Sequence, residues 1–427
     1  MSVMDKEQRM SRIRVALFAC AFNEIDGVAN TMRYFDAFAK SHDFPMLNIH
    51  GGFEQYDHRD GSVHRLELQR RWPKFQLDFH HDYDLNLWRY LPEVEQTVRE
   101  FRPDIVHVTG PSDIGQMGAL MAHRLRVPLA ASWHTNLHEY AERRFVPGNG
   151  LLPRAWKEAL GRGIRESSLR LIGRFYRVAR VLFAPNVELM SLVEGLTGKP
   201  CYLMSRGIDR ELFHPKRRKR DDEQFVIGYV GRLTREKNVR FLKSLRDGLN
   251  ARGGRSFRIV IVGQGAEFSW LRKNLPDATL TGVLRGEQLA EAYADLDAFV
   301  FPSHTDTFGN VILEALAAGV PAVVTADGGP KFIVEHEISG FVAKNDSEFI
   351  ECVDKLRKDP GRLAQMRTAA REHAEQAPSW DSVFGSVYDT YEEALLGSAT
   401  SSTESYETLP AITPEAKADA QLGYSQD

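Results

Sequence analysis

Apolar residues in this chain fall into short unbroken runs, separated by stretches in which they recur every three or four positions. Residues 14–22, with Val15, Leu17 and Phe18 inside them, read as a strand buried on both faces, and a glycine-containing turn follows. Behind that turn Met32, Phe35 and Phe38 keep helical spacing. The same alternation returns at 104–110, 128–133 and 181–184. Strand, turn, helix, strand in this rhythm predicts a parallel sheet covered by helices. Near Phe213 the pattern gives way to proline and dense charge, Lys216 to Arg220 followed by Asp221 to Glu223, which is a linker signature. It restarts at 224–230, 257–262, 298–301 and 321–324.

The expected architecture is therefore α/β, with two Rossmann-like units at 12–215 and 224–379 and a charged linker at 216–223. An N-terminal extension covers 1–11, and an amphipathic helix spans 380–396. The Ser-, Thr-, Glu- and Ala-rich stretch 397–427 reads as a disordered tail. A chain of 427 residues has room for two or three such units. Lys and Arg number 55 against 58 Asp and Glu, which argues against a strongly basic nucleic-acid binder. Cys20, Cys201 and Cys352 are far apart and odd in number, so they give neither a disulfide framework nor a zinc spacing. The polar first ten residues lack the apolar stretch of a signal peptide, and no run approaches the ~20 apolar residues of a membrane-spanning helix. A cytoplasmic protein is expected, with peripheral membrane contact left open.

Four strand-to-turn junctions carry candidate chemistry. After 298–302 come Ser303, His304, Asp306, Phe308 and Gly309, then a helix-forming run from Asn310 to Gly319. Free N–H groups at such a helix start suit a phosphate or a sugar hydroxyl. Asp306 and Glu314 either face one cleft at the strand edge or serve as a helix cap and a surface acid. After Val230, Gly231 allows close backbone approach, and Arg232 and Lys237 either clamp a diphosphate or are ordinary solvated charges. Gly263 and Gly265 make a similar turn after Val262, and Gly27 lies in the turn after the first strand. His134 and His138 are four apart, but no third ligand sits at metal spacing, so His134 reads as a polar contact to substrate.

Taken together and in this order, these motifs resemble the retaining GT-B glycosyltransferases of family 4, over roughly residues 12 to 396. The segments 205–215, beginning Ser205, Arg206, Gly207, and 297–303 also look like family signatures. The resemblance implies two facing domains with the active site in the cleft, the first binding the acceptor and the second the nucleotide sugar. The C-terminal helix would return to the first domain. Arg232 and Lys237 would hold the donor diphosphate and Glu314 the ribose. Asp306 would contact the donor sugar with backbone N–H groups of Phe308, Gly309, Asn310 and Val311. His134 would touch the transferring sugar, Gly27 and Gly263 would lie close to the donor, and Leu284 would sit where the backbone recognises the base. Transfer with retention to a glycan or lipid-linked acceptor is implied.

Three departures point within the family. The first acid is Asp306 where glutamate is common, the first loop has the single Gly27, and Lys331 and Phe332 stand where a glutamate is frequent. Together they resemble the subgroup of GDP-mannose-dependent α-mannosyltransferases and sulfoquinovosyl transferases, which implies mannose from GDP-mannose as the expected donor and a UDP-linked glucosyl, glucuronosyl or sulfoquinovosyl donor as the alternative. A non-catalytic nucleotide-sugar-binding protein and a phosphorylase are rivals from other classes. Asp295 and Asp297 form an Asp-x-Asp, a metal motif in a different transferase fold. Here Asp297 reads as a turn residue, so no metal or other cofactor is expected. Finally, 151–180 carries eight Arg or Lys against two Glu, with Leu171, Phe175 and Val178 beside Arg170, Arg174 and Arg177. That helix either packs on the first sheet or docks on an anionic membrane surface.

Overall fold

The computed structural model describes residues 13–24, 26–72, 74–78, 81–84, 86–134 and 154–396. The extension 1–11, the tail 397–427, His138 and the first three residues of the basic stretch lie outside these. Sixteen strands occur among the described residues. They are β1 Val15–Ala19, β2 Met46–Gly52, β3 Tyr56–Asp60, β4 Val63–Gln69, β5 Lys74–Asp78, β6 His81–Asp84, β7 Ile105–Val108, β8 Leu129–Ser132, β9 Val181–Ala184 and β10 Cys201–Leu203, then β11 Phe225–Val230, β12 Phe257–Val262, β13 Thr279–Gly282, β14 Ala298–Phe301, β15 Ala322–Thr325 and β16 Gly340–Ala343. The helices are α1 Gly27–Ser41, α2 Leu91–Phe101, α3 Asp113–Leu125, α4 Arg154–Tyr176, α5 Val187–Thr197, α6 Phe241–Ala251, α7 Phe268–Asn274, α8 Gly286–Ala294, α9 Asn310–Ala317, α10 Asp346–Lys358, α11 Pro360–Gln376 and α12 Trp380–Leu396.

The first sheet runs β10-β9-β8-β7-β1-β2-β4-β3, and the second runs β13-β12-β11-β14-β15-β16. Both turn direction in the middle, the first between β1 and β7 and the second between β11 and β14. At such a switch point the connections leave in opposite directions and open a crevice at the C-terminal strand ends, where α/β sheets bind ligands. The central strands are parallel and their residues wholly buried, which is why they read as unbroken apolar runs. One edge departs from this rule: β3 pairs antiparallel with β4, and β5 with β6 forms a separate antiparallel pair.

Local chemistry sets where the helices begin. Asp26 Oδ1 accepts from Ala29 N at 2.8 Å to cap α1, and Asn186 Oδ1 accepts from Leu189 N at 2.9 Å to cap α5. Met32, Phe35 and Phe38 all point into the core, as their spacing requires. α12 crosses back to this side of the molecule. Its Phe384 stacks on Phe35 with centroids 4.5 Å apart, and Tyr388 and Tyr391 are buried in the same cluster.

The basic run expected as a linker is anchored to the second sheet. Arg218 Nη2 lies 2.9 Å from Asp297 Oδ1, Arg220 pairs with the other oxygen, and Val226 N donates to that carboxylate at 2.9 Å. Asp297, in the turn just before β14, is thus also a buried counter-ion, and both of its oxygens are committed to that anchor. Asp295 Oδ1 accepts from the backbone of Lys219 and Arg220.

Candidate active site

β11 and β14 end side by side, and their two loops supply the charged groups. The turn after β11 begins at Gly231. A Cβ on Gly263, the residue after β12, would lie 1.9 Å from the Gly231 carbonyl oxygen, so the two turns touch through bare backbone. This contact carries the chain to Arg232, whose side chain lies 3.6 Å from Glu236, and to Lys237. Lys237 Nζ is paired directly with Asp306, which arrives from the loop after β14, and both side chains are largely buried. Burial raises the Asp306 carboxyl, but the charge and hydrogen bond of Lys237, reinforced by Arg232, outweigh it and hold the group below the ordinary carboxylate range.

Asp306 is not a helix cap. The residue preceding α9 is Gly309, at φ 106°, a backbone conformation that costs a glycine little. No side chain caps α9, so its first N–H groups open towards the loop. Glu314 follows on the same helix and is not a surface acid. Tyr293 of α8 donates to its Oε2 at 2.8 Å, and burial pushes its carboxyl up to about 7 against that bond. Leu284 sits half-buried against the second core, after β13.

The first domain faces this loop closely. A Cβ on Gly27 would lie 3.8 Å from Asn310 Nδ2, and that amide nitrogen is buried with no hydrogen-bond partner among the described residues. A buried amide without a partner, between a glycine turn and a helix start, marks a place for a ligand acceptor. Thr307 is held at both ends: its hydroxyl donates to the His134 carbonyl at 2.7 Å, and its carbonyl accepts from Asn186 Nδ2 at 2.6 Å. Lys331 reaches Glu188 of α5 at 3.1 Å.

His134 lies beside this loop, but its ring does not offer a free nitrogen to a sugar. Nδ1 is 2.8 Å from Arg206 Nη2 and Nε2 is 2.7 Å from Ser132 Oγ, and the residue is 5% exposed. The expected sugar contact is thereby corrected for this conformation. What His134 presents to the second domain is its backbone carbonyl. The structure therefore brings Arg232, Lys237 and Asp306 together, sets Gly27 against Asn310 and places the His134 carbonyl against Thr307. The sequence reading did not single out Asn186, Thr307, Tyr293 or Arg206 as site residues. Asn186 was readable as an Asn between a strand and a helix, and Arg206 as part of the 205–215 signature. Tyr293 gave no sequence signal.

In the described part, two open α/β sheets with opposed switch-point crevices, one lined by cations beside an uncapped helix start, define a nucleotide-sugar transferase fold of the GT-B class. The comparisons with known proteins agree. Residues 29–199 match the model of the glycosyl transferase 4-like domain, and residues 209–373 match that of glycosyl transferases group 1. The chain belongs to the GT-B glycosyltransferases of family 4. It is 27% identical over 395 residues to a GDP-mannose-dependent alpha-mannosyltransferase of Corynebacterium glutamicum, covering 90% of this chain and 89% of that protein. To the sulfoquinovosyl transferase SQD2 of Arabidopsis thaliana it is 31% identical over 307 residues, which are 67% of this chain and 56% of the relative. In fold it is similar to sucrose-phosphate synthase from Thermosynechococcus elongatus, with a TM-score of 0.71 and 15% identity over 91% of this chain and all of that one.

Proposed function

We propose that this glycosyltransferase moves mannose from GDP-mannose to a hydroxyl of a glycan or lipid-linked acceptor, with retention at the anomeric carbon. The pairing of Lys237 with Asp306 at the switch point of the second sheet carries the reading. A lysine held there by a carboxylate, with Arg232 beside it, is placed to meet pyrophosphate oxygens and to stabilise the charge on the leaving diphosphate. In this role the two side chains supply the positive charge that a metal would otherwise bring. Asp306 and the N–H groups of Phe308 to Val311 face the donor sugar, Glu314 takes ribose hydroxyls, and Leu284 lies near the base. Gly27 lets the first domain approach the donor, opposite the unpartnered Asn310 amide. His134 shapes the sugar subsite through the Thr307 contact. The leaving phosphate itself takes up the acceptor proton on the same face of the sugar, since the reading assigns no covalent nucleophile.

The mannosyltransferase relative, matched along nearly its whole length, favours GDP-mannose, and the sulfoquinovosyl relative favours a UDP-linked donor as the second reading. A thermal-shift panel separates them. GDP raising the melting temperature by several degrees, with UDP inert at the same concentration, supports the first, and the reverse supports the second. A protein stabilised by no nucleotide diphosphate contradicts both.

An acceptor on an anionic membrane surface fits α4. Leu160 and Leu171 on the helix and Val178 in the turn after it are exposed, the last two by 69% and 64%, and Arg162, Arg170, Arg174 and Arg177 flank them. Phe175, by contrast, packs into the first core. Cosedimentation with phosphatidylglycerol vesicles, lost in a Leu171→Glu, Val178→Glu variant, is the expected outcome. Equal sedimentation of both proteins contradicts it.

A further inference from the structure

Arg206 lies between β10 and β11, where the chain passes from one sheet to the other, and is 3% exposed. Its Nη1 donates to the carbonyls of Met204 at 2.8 Å and Ser205 at 3.1 Å, and its Nη2 lies 2.8 Å from His134 Nδ1. The guanidinium also stands 5.8 Å from the ring of Phe308, in the loop that carries Asp306. A guanidinium donates and cannot accept, so His134 Nδ1 must present its lone pair. The proton of the neutral ring is then on Nε2, which donates to Ser132 Oγ. Ser132 Oγ also lies 2.9 Å from His107 Nε2, and His107 Nδ1 pairs with the Tyr391 hydroxyl on α12. The first donor in this buried chain is Arg206, and it fixes the tautomer of His134.

We propose that Arg206 is a positioning residue for transfer: it locks His134 in the Nε2–H tautomer and so fixes the carbonyl seat on which Thr307, and with it the donor loop 306–309, is held. This rests on the site reading above only for its effect on catalysis. The tautomer is a property of the free protein. Charge and burial act in the same direction. Burial, the Arg206 charge and His107 drive the His134 imidazolium well below its usual range, and Asp26 alone among the facing groups opposes them. Without Arg206 the ring loses the donor that fixes its tautomer and its cationic neighbour, while burial, the larger cause, still disfavours the imidazolium.

Two-bond ¹⁵N–¹H spectra of the full chain labelled at histidine read this directly, with His134 assigned by difference against His134→Gln. The wild type is expected to show a neutral Nε2–H ring that persists as the pH is lowered past the usual imidazole pKa of ~6.5. In Arg206→Met that pattern is expected to change to another tautomer or mixture of tautomers, and any protonation to begin at a higher pH than in the wild type. Turnover of the nucleotide sugar that the wild type uses should fall about ten- to hundred-fold, by analogy with the loss on removing the partner that orients a metal-bound histidine. The pH–kcat profile should gain an acidic limb. Arg206→Lys, which still donates to Nδ1, should restore the Nε2–H pattern and most of kcat. It also serves if the methionine variant does not fold. An Nδ1–H or cationic His134 in the wild type overturns the proposal, as does an Arg206→Met protein with unchanged spectrum, or with a changed spectrum and unchanged kcat and pH profile. If no nucleotide sugar is turned over, the function reading fails while the tautomer assignment is still decided.

Discussion

Glu314 shows how a single carboxyl reports on its cleft. Its pKa stands near 7 because burial disfavours the charge more than the Tyr293 hydroxyl supports it. In the unfolded chain it ionises near 4.5. The folded state therefore holds a proton that the unfolded state has lost, and its stability falls as pH rises from about 4.5 to 7. Above pH 7 both states are ionised and the penalty is constant. Glu314→Gln removes the charge while keeping the Tyr293 partner. Its melting temperature, compared with that of the wild type, is expected to be little changed at pH 4.5 and clearly higher at pH 8. A difference that is the same at both values contradicts the buried setting of this side chain. Asp306, on the same loop and helix, is displaced the other way because Lys237 faces it. Two acids eight positions apart in sequence thus reach opposite charge preferences through their surroundings alone.

Among the elements, those built from one buried pattern were legible and those built from distant partners were not. β7, β8, β9, β11, β12, β14 and β15 stand where the apolar runs predict them, because a central parallel strand buries both faces. β2 and β4 gave no such signal. Their buried polar residues are paired across the fold, as when Asn48 donates to Asp36 at 2.9 Å and Arg65 Nε reaches the same carboxylate at 3.0 Å. β3 is an edge strand whose exposed side chains show no alternation of apolar positions. The same division holds in the site. Strand ends and glycine turns located Arg232, Lys237, Asp306 and Glu314. The bonds that seat Thr307 join residues 121 and 173 positions apart, which no local pattern encodes. Gly329 belongs to this second kind. Its N–H donates to the Asp306 carbonyl at 2.7 Å, and a Cβ there would lie 2.1 Å from the Thr307 carbonyl oxygen. Backbone cannot yield as a flexible side chain does, so Gly329→Ala must shift the 306–308 loop, at a cost of about 1–3 kcal/mol. A lower melting temperature together with a raised KM for the donor is expected, and a donor KM equal to that of the wild type contradicts the close packing.

At the scale of the whole molecule, the two sheets, the anchored basic run and the returning α12 serve one arrangement. Arg218 and Arg220 fasten the passage between the domains to Asp297, and Phe384 with Tyr391 ties α12 to the first sheet. The domains meet where Thr307 is gripped by Asn186 and His134, and Gly27 faces Asn310 across the remaining space. Closure of this kind excludes water from a transfer in which water competes with the acceptor hydroxyl. The account depends on the second crevice holding a nucleotide diphosphate through Lys237. Calorimetric titration of the nucleotide diphosphate selected by the thermal-shift panel, into the wild type and into Lys237→Ala, tests this most directly. Loss of a charge-assisted bond worth about 1.5–3 kcal/mol predicts binding roughly ten- to a hundred-fold weaker, with an unchanged circular dichroism spectrum. Equal affinity in a folded Lys237→Ala protein contradicts it.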